Sequence, residues 1–359
     1  MSPIIEGLRG LGALMVLVHH YVYSLNPEWA EALTGLHFFH AGVDLFFVLT
    51  GYLFAPLVLG VRHPPASVFL KRRVWRLYPL YLLSLILTVV LAPSSTLQGW
   101  LENATQTTWQ ALHHLVFLQS APWQNLQQLA YFNEVYWTLS VEVAFYALVL
   151  ACLFLPATLS AKRRFWGLAA LSLAGFLALC YGHYQPKSGR WLIHQTQLPT
   201  LLIEFWFGMA VFYFKSQFKT PFLLLATAVG LLVGFYLLYP LASADSISPR
   251  PFGWFNVGVA FSFALLLAGL LALERLSPLQ TNLPKNQTWL NSWAKKWALH
   301  LGALSYGVYL LHGLVLVLMS GIFVSEFVHL FASALVTLLL AAVLYRWFEE
   351  PCRNYGRRE

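Results

Sequence analysis

The chain has 359 residues, of which 58% are apolar and only 10% charged, and its mean hydropathy is +0.63. An ordinary soluble globule is about one quarter charged, and a disordered chain needs low hydrophobicity with high charge density. Both classes are excluded, and lipid is the solvent for most of this sequence. The net charge is +8, the aromatic share of 16% suits a polytopic protein whose rings collect at headgroup level, and Cys152, Cys180 and Cys352 form neither a disulfide framework nor a zinc-ligand spacing.

A spanning helix needs roughly 20 mainly apolar residues. In chain order the segments that meet or approach this are 5–25, 38–60, 77–92, 134–156, 165–183, 198–214, 221–242, 252–273, 300–322 and 326–348. The first carries Glu6 and Arg9 near its start and lacks the small-residue cleavage site of a signal peptide, so it is read as a retained helix. The third is short and stopped by Pro93. The stretch 110–121, with His113 and His114, is shorter still and is read as a re-entrant or interfacial segment. The predicted fold is therefore all-α: a polytopic transmembrane bundle of about ten spanning helices plus that short segment. No connection is long enough for an appended soluble domain, so residues 1–359 are expected to form a single membrane domain.

Basic residues test the map, because cytoplasmic loops are enriched in Lys and Arg. With the N-terminus inside, the outer connections hold only Lys187, Arg190 and Arg250, and Arg9 lies within the first span; every other Lys and Arg falls on the inner side. Both termini are expected in the cytoplasm, and the stretch from Pro93 to Asn133, which has no Lys or Arg, is expected outside.

Acidic residues mostly sit in loops or at span ends, but Asp44, Glu142 and Glu204 fall within spans, as do His20 and His312. An ionisable group at mid-bilayer costs about 2.5–3.5 kcal/mol on insertion scales, so these residues are expected to face a polar cavity or a partner. Arg9 and His20 are eleven positions apart on the first helix, close to three turns, and project from nearly the same face. Histidine accepts a proton near neutral pH and is the natural base of such a pair. His19, one position away and about 100° around the helix, is expected to point elsewhere. Lys71-Arg72-Arg73-Val74-Trp75-Arg76 forms a cationic face at a membrane boundary. Guanidinium groups suit multidentate phosphate binding, while the alternative role of such a cluster is to meet anionic lipid. His37 and His40 share a face at i, i+3 without a cysteine or carboxylate to complete a metal site.

At these residues the chain resembles acyltransferase family 3, the integral-membrane acyltransferases known for O-acetylating bacterial surface carbohydrates. The resemblance runs through Glu6-Gly7-Leu8-Arg9 with His20 ten residues beyond, then Gly42 to Tyr52, then Arg72-Arg73-x-x-Arg76 with Pro79 and Tyr81. It continues through Trp137 to Glu142 with Phe145-Tyr146, through Ser305 to His312, and through Tyr345 to Pro351. The departures, among them Thr50, Tyr52, Thr138, Val143, Gly307 and Gly313, are mild and bear on acceptor specificity.

The resemblance implies a multi-pass enzyme of the bacterial cytoplasmic membrane, an O-acetyltransferase moving acetyl from acetyl-coenzyme A to a hydroxyl of a cell-surface or lipid-linked glycan such as a polysaccharide or lipopolysaccharide. It implies His20 and Arg9 as catalytic residues, with His20 acting as general base or as an acylated nucleophile. Glu142 is implied to orient His20 or to contact the acceptor. Arg72, Arg73 and Arg76 are implied on the donor side, where Arg9 is also expected, and Asp44, Glu142 and His312 are implied as cavity residues; Glu204, an ionisable group within a span, and Trp137 are expected to line the same cavity. Acyl-coenzyme A, a glycan or lipid-linked sugar and membrane lipid are the expected partners; neither a metal nor a nucleic acid is expected. Some relatives carry an extracytoplasmic domain that completes transfer, whereas this sequence stops eight residues after Pro351, so direct transfer or a separate extracytoplasmic partner is expected. The rival readings are a transporter or flippase that uses the membrane carboxylates, and a glycan-assembly enzyme with another donor.

Overall fold

The computed structural model describes residues 2–24, 32–91, 104–119, 132–156, 158–183, 197–243, 254–276, 285–320, 322 and 325–358. The outer cations Lys187, Arg190 and Arg250, and much of the neutral stretch before Asn133, lie outside these residues. Among the described residues every regular element is helical: α1 (Pro3–Tyr23), a 3-10 helix (Thr34–Ala41), α2 (Gly42–Val58), α3 (Ala66–Leu91), α4 (Ala104–Leu115), α5 (Tyr136–Leu153) and α6 (Ala161–His183). These are followed by α7 (Leu198–Tyr213), α8 (Pro221–Ser243), α9 (Trp254–Leu276), α10 (Lys285–Leu318), α11 (Glu326–Leu344), a π turn (Tyr345–Glu349) and α12 (Glu350–Tyr355).

Seven stretches within them are long and apolar enough to cross a bilayer, namely 34–58, 136–153, 161–181, 221–241, 254–276, 293–318 and 326–355. The protein is a multi-pass membrane protein. The other three expected spans are also helical: α1, α3 and the shorter apolar α7, of 16 residues. Of the 110–121 segment, residues 110–119 are described: they are the end of α4 followed by a turn in which Phe117 has φ 58°.

The chain divides into two compact units, and the division runs through α6, α7 and α10. Unit 1 comprises residues 1–59, 160–172 and 203–305. It opens with α1, whose Pro3 occupies the first turn where its missing N–H costs nothing and whose Glu6 complements the helix N-terminal dipole. The core of this unit joins Ile5 and Leu8 of α1 to Leu45, Val48 and Leu49 of α2 and to Phe255, Val259, Phe263 and Leu267 of α9. Glycines set the closest approaches. A Cβ on Gly51 would collide with the Phe205 carbonyl, and one on Gly208 with the Val48 carbonyl, so α2 and α7 cross backbone to backbone. A Cβ on Gly10 would lie 2.5 Å from Leu301 Cβ, so α1 also packs closely on α10.

Unit 2 comprises residues 60–159, 173–202 and 306–359. Here hydroxyl groups do much of the joining. Ser84 Oγ and the Tyr136 hydroxyl are 2.7 Å apart, linking α3 to α5, and the Thr138 and Tyr309 hydroxyls are 2.7 Å apart, linking α5 to α10. Tyr81 donates to the His114 carbonyl at 2.8 Å and stacks on Phe117, which docks the turn after α4. The π turn has a local cause. Pro351 supplies no N–H and its ring crowds the carbonyl four residues back, so the Glu350 N–H bonds to the Tyr345 carbonyl instead, five residues back.

Candidate functional site

In unit 1 the first implied residue, Arg9, lies 3.8 Å from Glu6 across one turn of α1, and both side chains are largely buried. Glu6 in turn packs on Gly302 of α10, where a Cβ would stand 2.5 Å from Glu6 Cβ. The pair is thus held between two helices, and replacing either partner leaves a charge in a poorly solvated place. Sequence reading noticed Glu6 only as a neighbour; the i, i+3 spacing to Arg9 was the available signal.

His20 is half-buried, eleven residues along the same helix. Its Nδ1 lies 3.0 Å from the Val16 carbonyl. A carbonyl only accepts, so Nδ1 carries the proton, and in the neutral ring Nε2 is the proton-accepting atom. His19, expected to point elsewhere, is turned to the 3-10 helix, where its Nδ1 donates to the His37 carbonyl at 2.8 Å. Its ring still meets that of His20 edge-on, with centroids 5.0 Å apart. His40 Nδ1 donates to the same His37 oxygen at 2.9 Å, and the His40 ring lies 5.8 Å from that of His19. The His19 and His40 rings therefore converge on one carbonyl, and the His37 ring lies 5.8 Å from that of His19. The sequence reading placed His37 and His40 at a span boundary and did not join them to His19. Among the described residues no group of three or more His, Cys, Asp or Glu is placed to hold a metal ion.

Asp44 and Glu204 are also in unit 1 and are fully buried. Asp44 precedes Val48 by one turn and Glu204 precedes Gly208 by one turn, so each carboxylate lies on the stripe by which α2 and α7 meet.

In unit 2 the arginine cluster of α3 splits by exposure: Arg72 is exposed, whereas Arg73 and Arg76 are half-buried. Arg73 lies over the Tyr146 ring at 5.7 Å, and the Tyr146 hydroxyl donates to the Glu142 carboxylate one turn earlier on α5. Tyr306 of α10 donates to the Leu77 carbonyl of α3 at 2.7 Å. These contacts bring Arg73 and Glu142 to one aromatic-lined place. Tyr146 and Tyr306 belong to the quoted blocks, yet their bridging role is not written in helical spacing, except for the i, i+4 relation of Glu142 to Tyr146.

His312 is fully buried, with Nδ1 3.1 Å from the Val308 carbonyl, and its ring lies 6.1 Å from that of Tyr309. Trp137 is half-buried at the start of α5. His114 is structural: its Nδ1 donates to the Gln110 carbonyl at 2.8 Å and its Nε2 accepts the Phe132 N–H at 3.4 Å. Burial lowers its pKa to about 4, although the Gln110 bond opposes the shift.

Residues 3–346 match the family model described as an acyltransferase domain, acyltransferase family 3, and the chain belongs to that family. Among similar proteins of Staphylococcus aureus, the O-acetyltransferase OatA of strain NCTC 8325 is 26% identical over 370 residues, covering 99% of this chain and 57% of its own length. A protein of strain COL with a provisional O-acetyltransferase name is 24% identical over 378 residues, covering 99% of this chain and 58% of its own length. The chain thus spans somewhat more than half the length of these relatives. No solved structure matches.

Proposed function

We propose that this protein is a membrane O-acyltransferase that moves an acyl group, acetyl from acetyl-coenzyme A, to a hydroxyl of a cell-surface or lipid-linked glycan. Family membership and the names of the similar proteins support acyl transfer over the transport reading. The observation that carries the chemistry is the His20 bond to Val16, which sets Nε2 as the proton acceptor.

In this reading the donor enters from the cytoplasm with its phosphates near Arg72, Arg73 and Arg76. His20 Nε2 takes the acceptor hydroxyl proton, and the oxygen attacks the thioester carbonyl carbon. The C–S bond breaks, and the departing thiolate takes the proton back from the imidazolium, giving the ester and free coenzyme A. Arg9, held by Glu6, keeps a fixed cation on the same helix. Glu142, held by Tyr146, contacts the acceptor; Asp44 and Glu204 are the cavity residues of unit 1, and His312 and Trp137 those of unit 2. The site is that of a bacterial cytoplasmic membrane protein with both termini inside.

Mass spectrometry of surface glycans from cells with the gene, without it, and with His20→Ala tests this reading. The expected result is a hydroxyl-linked mass increment that only the intact gene produces; an identical glycan in all three would overturn it. Release of coenzyme A in the absence of acceptor, in amount equal to the enzyme, would assign His20 the nucleophilic role instead.

A further inference from the structure

The residues after the π turn are pinned to the basic end of α3. Gly356 is buried against Trp75, where a Cβ would lie 2.5 Å from Trp75 Cβ and 3.5 Å from the Lys71 carbonyl. The Tyr355 ring meets the Trp75 ring edge-on at 4.6 Å, and Lys71 Nζ donates to the Arg358 carbonyl at 2.6 Å. Gly356 at this contact sets where the flanking arginines fall. Arg353 lies one turn before it and Arg357 one residue after, against the α3 segment that carries Arg73 and Arg76 on either side of Trp75.

Arg353 is half-buried. Its Nη2 donates to the Tyr345 hydroxyl at 2.8 Å, and its Nε has no hydrogen-bond partner among the described residues. Arg357 reaches solvent. Partial burial and the nearby guanidinium groups of Arg353, Arg76 and Arg73 nevertheless hold it below the usual arginine range. Of the neighbouring carboxylates, Glu350 pairs with Arg346 at 3.6 Å and Glu142 accepts from Tyr146, while Glu349 is buried at the π turn. Concentrating guanidinium groups in this way is unfavourable until a polyanion offsets their repulsion.

We infer that Arg353 and Arg357 are donor-binding residues that read the outermost phosphate of the acyl donor, the 3′-phosphate on the adenosine ribose. This rests on the coenzyme A reading above. The assignment follows from order along the donor. Its thioester arm must go inward and its diphosphate lies in the middle, which matches the half-buried Arg73 and Arg76. The ribose phosphate lies farthest from the reacting carbon, which matches the solvent-reaching Arg357 and its neighbour Arg353.

The test is equilibrium binding of coenzyme A and dephospho-coenzyme A to the full chain in nanodiscs of phosphatidylcholine, with or without phosphatidylglycerol. Arg357→Gln and Arg353→Gln are each expected to weaken coenzyme A about tenfold while leaving dephospho-coenzyme A within about twofold, so the preference between the two collapses. Arg73→Gln and Arg76→Gln are expected to weaken both ligands alike. If the Arg73 and Arg76 variants lose both ligands while the Arg353 and Arg357 variants keep the wild-type preference, the inference is wrong and the donor reading stands. Unchanged binding in all four variants would remove the donor reading itself. A defect in Arg357→Gln confined to phosphatidylglycerol association would assign these arginines to lipid headgroups and overturn the inference. Thermal unfolding of each variant separates misfolding from lost binding, and Arg357→Lys, which keeps the charge but not the fork, is expected to recover part of the preference.

Discussion

The two compact units treat polar residues in opposite ways. Unit 1 buries its ionisable groups singly or in small sets: Glu6 with Arg9, the imidazoles around the His37 carbonyl, and Asp44 and Glu204 on helix contact stripes. Unit 2 spreads its polarity through tyrosine, serine and threonine hydroxyls and gathers its cations at one end of α3. Under the proposed function, this difference is a division of labour. A base that must trade a proton benefits from scarce water and a fixed tautomer, whereas a site for a soluble polyanion needs cations that water can reach.

His20→Ala is the sharpest way to break this comparison. It is expected to lower turnover by about 10²- to 10⁴-fold at unchanged protein level, measured as coenzyme A released with acceptor present. Retained turnover would take the chemistry out of unit 1. Arg9→Ala leaves Glu6 buried without its partner, and a loss of about 3–5 kcal/mol of stability is expected by thermal or denaturant unfolding in detergent. Arg9→Ala with Glu6→Gln should recover much of the stability but not the activity; full recovery of both would make the pair purely structural.

Acidification sharpens the comparison from the side of unit 2. His114 sits near 4 when folded against about 6.5 unfolded, so the unfolded chain binds the proton more readily between those values and folding loses ground as pH falls. Going from pH 7 to pH 5 should cost about 2 kcal/mol through this residue. His114→Gln should flatten that slope, and an unchanged slope would exclude His114 as its source. The smallest expected effect belongs to the hydroxyl links. Thr138→Val removes the bond to Tyr309 at nearly constant shape and should cost about 1 kcal/mol without changing the donor KM. A tenfold rise in that KM would place Thr138 in the donor site.

Much of the architecture was legible in hydropathy, because a spanning helix must satisfy its own backbone and therefore announces itself as an apolar run. All ten expected segments are helical where described, although α1, α3 and α7 are too polar or too short to qualify as spans by composition alone. Spacing and resemblance pick out His20, Arg9 and the α3 arginines as candidates, and their roles rest on the proposed function. The association of His19 with His37 and His40 was not, because it depends on a 3-10 turn that folds back on α1. Nor was the docking of Gly356 under Trp75, a contact between distant residues that leaves no periodic trace.

The shared carbonyl of His37 has a practical consequence for engineering. His19 on α1 and His40 in the following turn are its two donors, so residues 34–41 and position 19 form one exchangeable cassette. A chimera that imports this turn from a relative while leaving position 19 behind would carry a mismatched half of the clamp, beside the very ring whose orientation the graft was meant to preserve.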